Sequence, residues 1–186
     1  MEGVSLKSLR DRPFELLKEL ERRGLAVSAQ VGQEGTGGRE WVGVALRMAG
    51  ELFLAAREET REVLSLPATL TRVPGARSWI RGLANVRGQL LPIIDLRLFL
   101  GSGTAPVTRN TRVIVVNHRE IPAGLLVDEV LGFRRFAESE FTGDVVPTVT
   151  RCERYLAGSF RRAEEHWPVL SLRSILESTA FAEAAA

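Results

Sequence analysis

A nine-residue stretch of this chain occurs twice. Pro92-Ile93-Ile94-Asp95-Leu96-Arg97-Leu98-Phe99-Leu100 returns as Pro168-Val169-Leu170-Ser171-Leu172-Arg173-Ser174-Ile175-Leu176, identical at four of nine positions. Both copies read as an apolar strand running into a short helix. Asp95 and Ser171 hold the same place at that junction, where a side-chain oxygen caps the first turn and is worth about 1 kcal/mol against alanine. Gly101 stops the first helix, whereas the second runs out into the C-terminal tail. Each copy follows an alternating hairpin, so the repeating unit is several strands and one capped helix. A chain made of two such units is expected to fold as two related β subdomains.

The pattern between the copies agrees. Val42, Val44, Leu46 and Met48 alternate with Trp41, Gly43, Ala45 and Arg47, as in a half-buried strand. Ala49-Gly50 makes a turn, and the alternation resumes over 51–57. Further strands are expected at 61–66, closed by Pro67, and at 112–117, 121–127 and 130–133. No long helical pattern intervenes after Trp41, so the fold class is mainly β with short strands.

Residues 1–40 differ. Asp11 caps a helix expected from Arg12 to Arg23, with Gly24 as its stop and Phe14, Leu16, Leu17 and Leu20 on one side. A glycine-rich polar stretch, VGQEGTGGRE, follows as a flexible linker. The organisation expected is therefore an N-terminal helix and linker over 1–40, a β domain over 41–178 with subdomains at 41–105 and 112–177, and a tail at 179–186. No apolar run approaches the roughly 20 residues of a membrane span, and the charged N-terminus lacks the apolar stretch of a signal peptide. The lone Cys152 has no intramolecular disulfide partner. These features lead us to expect a cytoplasmic protein without direct membrane insertion.

The calculated pI near 9.2 invites a nucleic-acid reading, but the net charge is only +2 and basic and acidic residues are interspersed. Counterion release needs several phosphate contacts on one face, and the longest basic clusters are pairs such as Arg134-Arg135 and Arg161-Arg162. Only Lys7 and Lys18 are lysines among the 25 basic residues, so nearly every cation is a planar donor suited to carboxylates. Residues for catalysis are sparse. His118 and His166 have no second ligand at metal spacing, no phosphate-binding glycine loop lies at a strand–helix junction, and Cys152 has no histidine partner in sequence. No catalytic, cofactor or metal residues are expected.

The most distinctive stretch runs from Val73 to Arg97 and contains Pro74, Gly82, Asn85-Val86-Arg87-Gly88 and Pro92-Ile93-Ile94-Asp95-Leu96-Arg97. It resembles the signature segment of CheW-like domains, in which an NxRG turn and a PhhDLR run join two halves. Gly124-Leu125-Leu126-Val127-Asp128-Glu129-Val130 agrees with the same family, and the resemblance spans 41 to about 178. It implies two five-stranded, SH3-like β-barrel subdomains with short helices. Phe14-Glu15-Leu16-Leu17 and the stretch from Trp41 to Gly50 are similar to the CheW-type adaptors of chemosensory systems that control type IV pili. A flagellar CheW paralogue is the alternative.

The resemblance also implies partners: the regulatory domain of a CheA-type histidine kinase at one barrel, and the cytoplasmic tip of a methyl-accepting receptor in the groove between subdomains. Arg87 matches the arginine near the receptor site. It sits among apolar neighbours, so its guanidinium either meets a partner or pairs with a framework acceptor. Asn85 either satisfies local backbone or contacts a partner. Glu62 and Val63 lie on a strand that borders a partner surface in the family. Asp128, beside Glu129 at a strand end, is a further candidate, with a local salt bridge as its other reading. A basic nucleic-acid-binding β-barrel remains the competing class.

Overall fold

The computed structural model describes residues 40–183, apart from Ala105 and Ala163. The helix expected at 12–23 and the linker before Glu40 lie outside the described residues; Glu40 itself opens the first strand. Alternating residues become strands where expected: β1 (Glu40–Met48), β2 (Glu51–Ala56) and β3 (Thr60–Ser65). Ala49 and Gly50 close the first hairpin with φ of 53° and 85°, the pair of positive angles that matches strand twist in a two-residue turn. After a long loop come β4 (Ile80–Val86), β5 (Gln89–Asp95) and helix α1 (Leu96–Phe99). The second half supplies β6 (Arg112–Val116), β7 (Gly124–Val127), β8 (Glu129–Ala137), β9 (Phe141–Thr142), β10 (Leu156–Arg162), β11 (Glu165–Leu170) and α2 (Leu172–Leu176).

The duplication is visible in backbone detail. Asp95 accepts from Leu98 N at 3.2 Å and Ser171 from Ser174 N at 3.2 Å, so both expected caps form. Asp95 N donates to Trp79 O and Ser171 N to Tyr155 O, at 2.8 and 2.9 Å. A bulge follows Ile80 in β4 and Leu156 in β10. The glycine after each bulge, Gly82 or Gly158, has φ of 141° or 144°.

The sheets, however, do not follow the expected subdomain boundaries. One sheet has the order β8-β1-β2-β11-β10-β9 and the other β3-β6-β7-β5-β4. Each takes the opening hairpin of one repeat and the later strands of the other. Subdomains drawn at 41–105 and 112–177 are therefore corrected to two sheets of six and five strands that interleave the repeats. The cause lies in pairing direction. β11 runs parallel to β2, and β5 to β7. Parallel neighbours cannot be joined by a tight turn, so long-range partners fill those places.

Among the described residues three clusters form the core. The largest lies between the sheets, with Leu46, Met48 and Phe53 meeting Ile94, Ile114, Leu125, Leu170 and Ile175. Ala84, Leu91, Ile93, Val113 and Val115 fill the concave side of the five-stranded sheet. Ala45, Leu54, Phe136 and Phe160 fill that of the six-stranded one. β1 is thus buried on both faces rather than on one: Ala45 and Leu46 are both at 0% exposure. Within the expected tail, Thr179–Ala182 forms a third helix, α3. Its Phe181 is buried against Trp79 and Phe99, with ring centroids 5.6 and 6.1 Å away.

Two carboxylates tie each repeat to the helix of the other. Glu59, just before β3, accepts from Leu172 N at 2.6 Å and from Ser171 Oγ at 3.2 Å. Asp128, just before β8, accepts from Arg97 Nη1 at 3.3 Å and from Ala49 N at 2.8 Å.

A methyl at Gly82 would stand 2.6 Å from Thr71 O in a backbone region that side chains avoid. Gly82→Ala and Gly158→Ala are each expected to lower stability by about 2 kcal/mol or more, because strain and a backbone clash combine. Urea unfolding of the two variants measures it; the alanines at Gly50 or Gly103, where nothing lies within 4 Å, serve as controls for positive φ alone.

Candidate protein-docking surface

At the tip of the β4–β5 hairpin, Arg87 and Gly88 take φ of 51° and 84°. Arginine is uncommon in that region, and the turn is held by Asn85, whose Oδ1 accepts from Gly88 N at 2.9 Å. The turn projects the Arg87 guanidinium to Glu62 Oε2, 2.9 Å away on β3. β3 and β4 are the two outer strands of the five-stranded sheet, so the pair links opposite edges of one curled sheet. The Arg87 side chain is 79% exposed and that of Glu62 21%. Arg87 accordingly keeps donors facing outward while Glu62 fixes its position.

Beneath the pair lies a cavity of 160 Å³ lined by Leu91, Val115, His118 and Pro122 together with Arg61 and Gln89. Leu90, next to the turn, is 66% exposed. Val63 follows Glu62 on β3; because side chains alternate, it stands on the strand's other face, at 36% exposure. The structure thus brings Arg87, Asn85 and Glu62 together, with Val63 on the same edge strand. Asp128 belongs to a separate group of contacts with Ala49 and Arg97.

Two features escape a reading of the sequence. Phe133 is 61% exposed on β8 and pairs with Val44, as Val63 pairs with Ile114. The two residues hold matching places on the outer strands of the two sheets, yet nothing local marks Phe133 as exposed. Arg162 stacks its guanidinium 4.3 Å from the Phe136 ring and makes two bonds of 2.9 Å to Glu140. Glu140 also accepts from Ala137 N at 2.7 Å, and the arginine and this amide together hold its carboxyl at a pKa of about 2.

Cys152 and His118 are both held in local contacts. Cys152 is buried, and burial pushes its thiol up, opposed by hydroxyls of Thr148 and Thr150. His118 Nδ1 accepts from Glu120 N and Ile121 N, and Nε2 faces Glu177 at 3.3 Å. Among the described residues no three histidine, cysteine or acidic side chains gather as a metal site would need. No described helix is long and apolar enough to cross a membrane. The surface around Arg87 thus combines an edge strand with an outward-facing guanidinium held by a carboxylate.

Comparison with known proteins places this fold. A family model described as the CheW-like domain matches residues 43–180. The chain is 36% identical to Protein PilI of Pseudomonas aeruginosa over 93% of its own length and 96% of that protein. It is 41% identical to the chemotaxis protein CheW of Bacillus subtilis over 38% of this chain and 45% of that one. The crystal structure of the scaffolding protein TtCheW from Thermoanaerobacter tengcongensis superposes with a TM-score of 0.66 at 24% identity, over 76% of this chain and 96% of that one, a likeness of fold. The chain belongs to the CheW-like family.

Two outcomes follow from the contacts. Asp128→Ala removes the acceptor of Ala49 N and the partner of Arg97, and should lower stability by about 1–3 kcal/mol in thermal or urea unfolding. The Glu140 pair has a defined pH signature. Its folded pKa is depressed, so its contribution is complete above the ordinary glutamate range and is lost as the pH falls through about 2. In Arg162→Ala, the Glu140 carboxyl followed by NMR should titrate closer to the ordinary value near 4.3.

Proposed function

We propose that the protein is a non-catalytic adaptor that couples methyl-accepting receptors to a CheA-type histidine kinase in a chemosensory system controlling type IV pilus twitching. The observation that carries this reading is similarity to Protein PilI along almost the whole of both chains, whereas the similarity to CheW of Bacillus subtilis covers less than half of each. That contrast favours a pilus system over a flagellar one. Residues engaged with one another in acid–base pairs (Arg47 with Glu129, Arg135 with Glu40, Arg162 with Glu140) support protein docking over phosphate binding.

In this reading the adaptor supplies geometry. Its receptor partner is membrane-bound, so the adaptor works at the inner face of the membrane without entering it. Arg87, Glu62 and Val63 form the docking edge. Asn85 shapes the turn that presents Arg87, and Asp128 supports the fold behind it. The receptor tip, an amphipathic helical hairpin, suits an edge that offers a guanidinium on one face of β3 and the apolar Val63 on the other. The kinase's regulatory domain occupies a different face, and receptor conformation reaches the kinase because both are held on one rigid body.

Arg87 separates this proposal from a framework role. An ion pair this exposed contributes about 1 kcal/mol or less, so Arg87→Ala should leave the melting temperature nearly unchanged. A central interface arginine contributes about 2 kcal/mol, so receptor-fragment affinity should fall roughly 30-fold. Titrations of the purified variant with a receptor cytoplasmic fragment and with the kinase regulatory domain measure both. Unchanged receptor affinity would remove Arg87 from the docking edge.

A further inference from the structure

Four strand pairings join the repeats: β1 with β8, β2 with β11, β3 with β6 and β5 with β7. Within a repeat the pairings are the hairpins β1–β2, β4–β5, β6–β7 and β10–β11, plus the short β9 beside β10. The hairpins β1–β2 and β6–β7 are therefore flanked on both edges by strands of the other repeat, and β4–β5 and β10–β11 on one edge each. The helix ties cross the same boundary, Glu59 to α2 and Asp128 to α1. One covalent segment, residues 101–110, connects the repeats. It holds Gly101, Gly103 and Pro106. Gly103, Thr104, Pro106 and Val107 make no hydrogen bond among the described residues and are exposed.

We propose that two copies of this chain form a repeat-exchanged dimer, in which residues 40–100 of each copy assemble with residues 111–183 of the other. Every inter-repeat pairing re-forms unchanged, because the surfaces that meet within one chain are the surfaces that meet between two. The exchange alters only the path of the 101–110 segment. A short connection of that length holds the repeats at an effective concentration in the millimolar range, which favours the closed monomer in dilute solution and the exchanged dimer when chains fold at high concentration. Conversion after folding requires all four pairings to open, so either form persists once made. The cavity beneath Arg87 and Glu62 would then be shared: those two residues come from one copy, and Val115, His118 and Pro122 from the other.

The test uses a cross-repeat neighbour pair. Val42 on β1 lies directly opposite Arg135 on β8, at a separation a disulfide can bridge. Chains carrying Val42→Cys and chains carrying Arg135→Cys are mixed in urea, refolded together at high concentration and oxidised. A disulfide-linked species of twice the 20.5 kDa chain mass, with the far-ultraviolet spectrum of the folded protein, is expected. Chains folded separately and then mixed supply the background, and the double variant, which links within itself, shows that the geometry permits the bond. Cross-linking no greater than that background would overturn the proposal. So would a dimer of the unmodified chain, seen by light scattering, in the absence of a linked heterodimer, since that dimer would associate by its surface. Shortening the hinge by deleting 103–107 should raise the dimer fraction at least several-fold, and a fraction that falls or stays constant would also count against exchange.

Discussion

The parallel pairings of β2 with β11 and of β5 with β7 organise the rest of this protein. A parallel neighbour must come from far along the chain, and here it comes from the other repeat. Once each repeat-bearing strand lies beside the opposite hairpin, its capped helix is delivered to the seam between sheets. There Leu96 of one repeat and Leu172, Ile175 and Leu176 of the other enter the same apolar cluster. Glu59 and Asp128 then meet the helices that this crossing brings within reach. The largest core is thus a joint product, and neither repeat has an inter-sheet core of its own.

The described strands and helices belong to one compact unit, in keeping with a scaffold of the CheW-like family. Curling of the five-stranded sheet brings its outer strands close enough for a 2.9 Å ion pair between Arg87 and Glu62. That pair is too exposed to stabilise the fold appreciably. Its effect is positional: it fixes a guanidinium at the tip of a hairpin whose turn is itself locked by Asn85. An edge strand so close to a charged tip is also guarded against indiscriminate strand addition, since charge on an edge disfavours sheet-to-sheet association.

Duplication leaves the two sheets free to diverge where the backbone allows it. The caps differ as Asp95 and Ser171 with the same bond made by each. The outer strands differ more, one showing Val63 and the other the larger Phe133. Gly82 and Gly158 have not diverged, because each sits at a bulge where the neighbouring carbonyl leaves no room for a side chain.

How much of this was legible in the sequence depends on the range of the interaction concerned. Alternation, the Ala49-Gly50 turn, the repeated strand–helix junction with its two caps, and membership of the CheW-like family are carried by neighbouring residues, and each was read correctly from them. That Arg87 must face outward or find an acceptor was legible too, and in the fold its exposed guanidinium pairs with Glu62. Which acceptor it finds was not legible. Glu62 lies on an outer strand that only the curl of the sheet brings near, and periodicity does not encode curl. The allocation of strands to sheets was hidden for the same reason: a strand's own pattern states which faces are apolar and not which distant strand covers them. Burial of β1 on both faces, docking of Phe181 in a segment read as a tail, the exposure of Phe133 and the engagement of Asp128 with Ala49 and Arg97 all follow from that allocation. The sequence by itself determined the local units and their number; tertiary structure decided which unit completes which, because long-range pairing energies are shared among residues that carry no local mark of their partners.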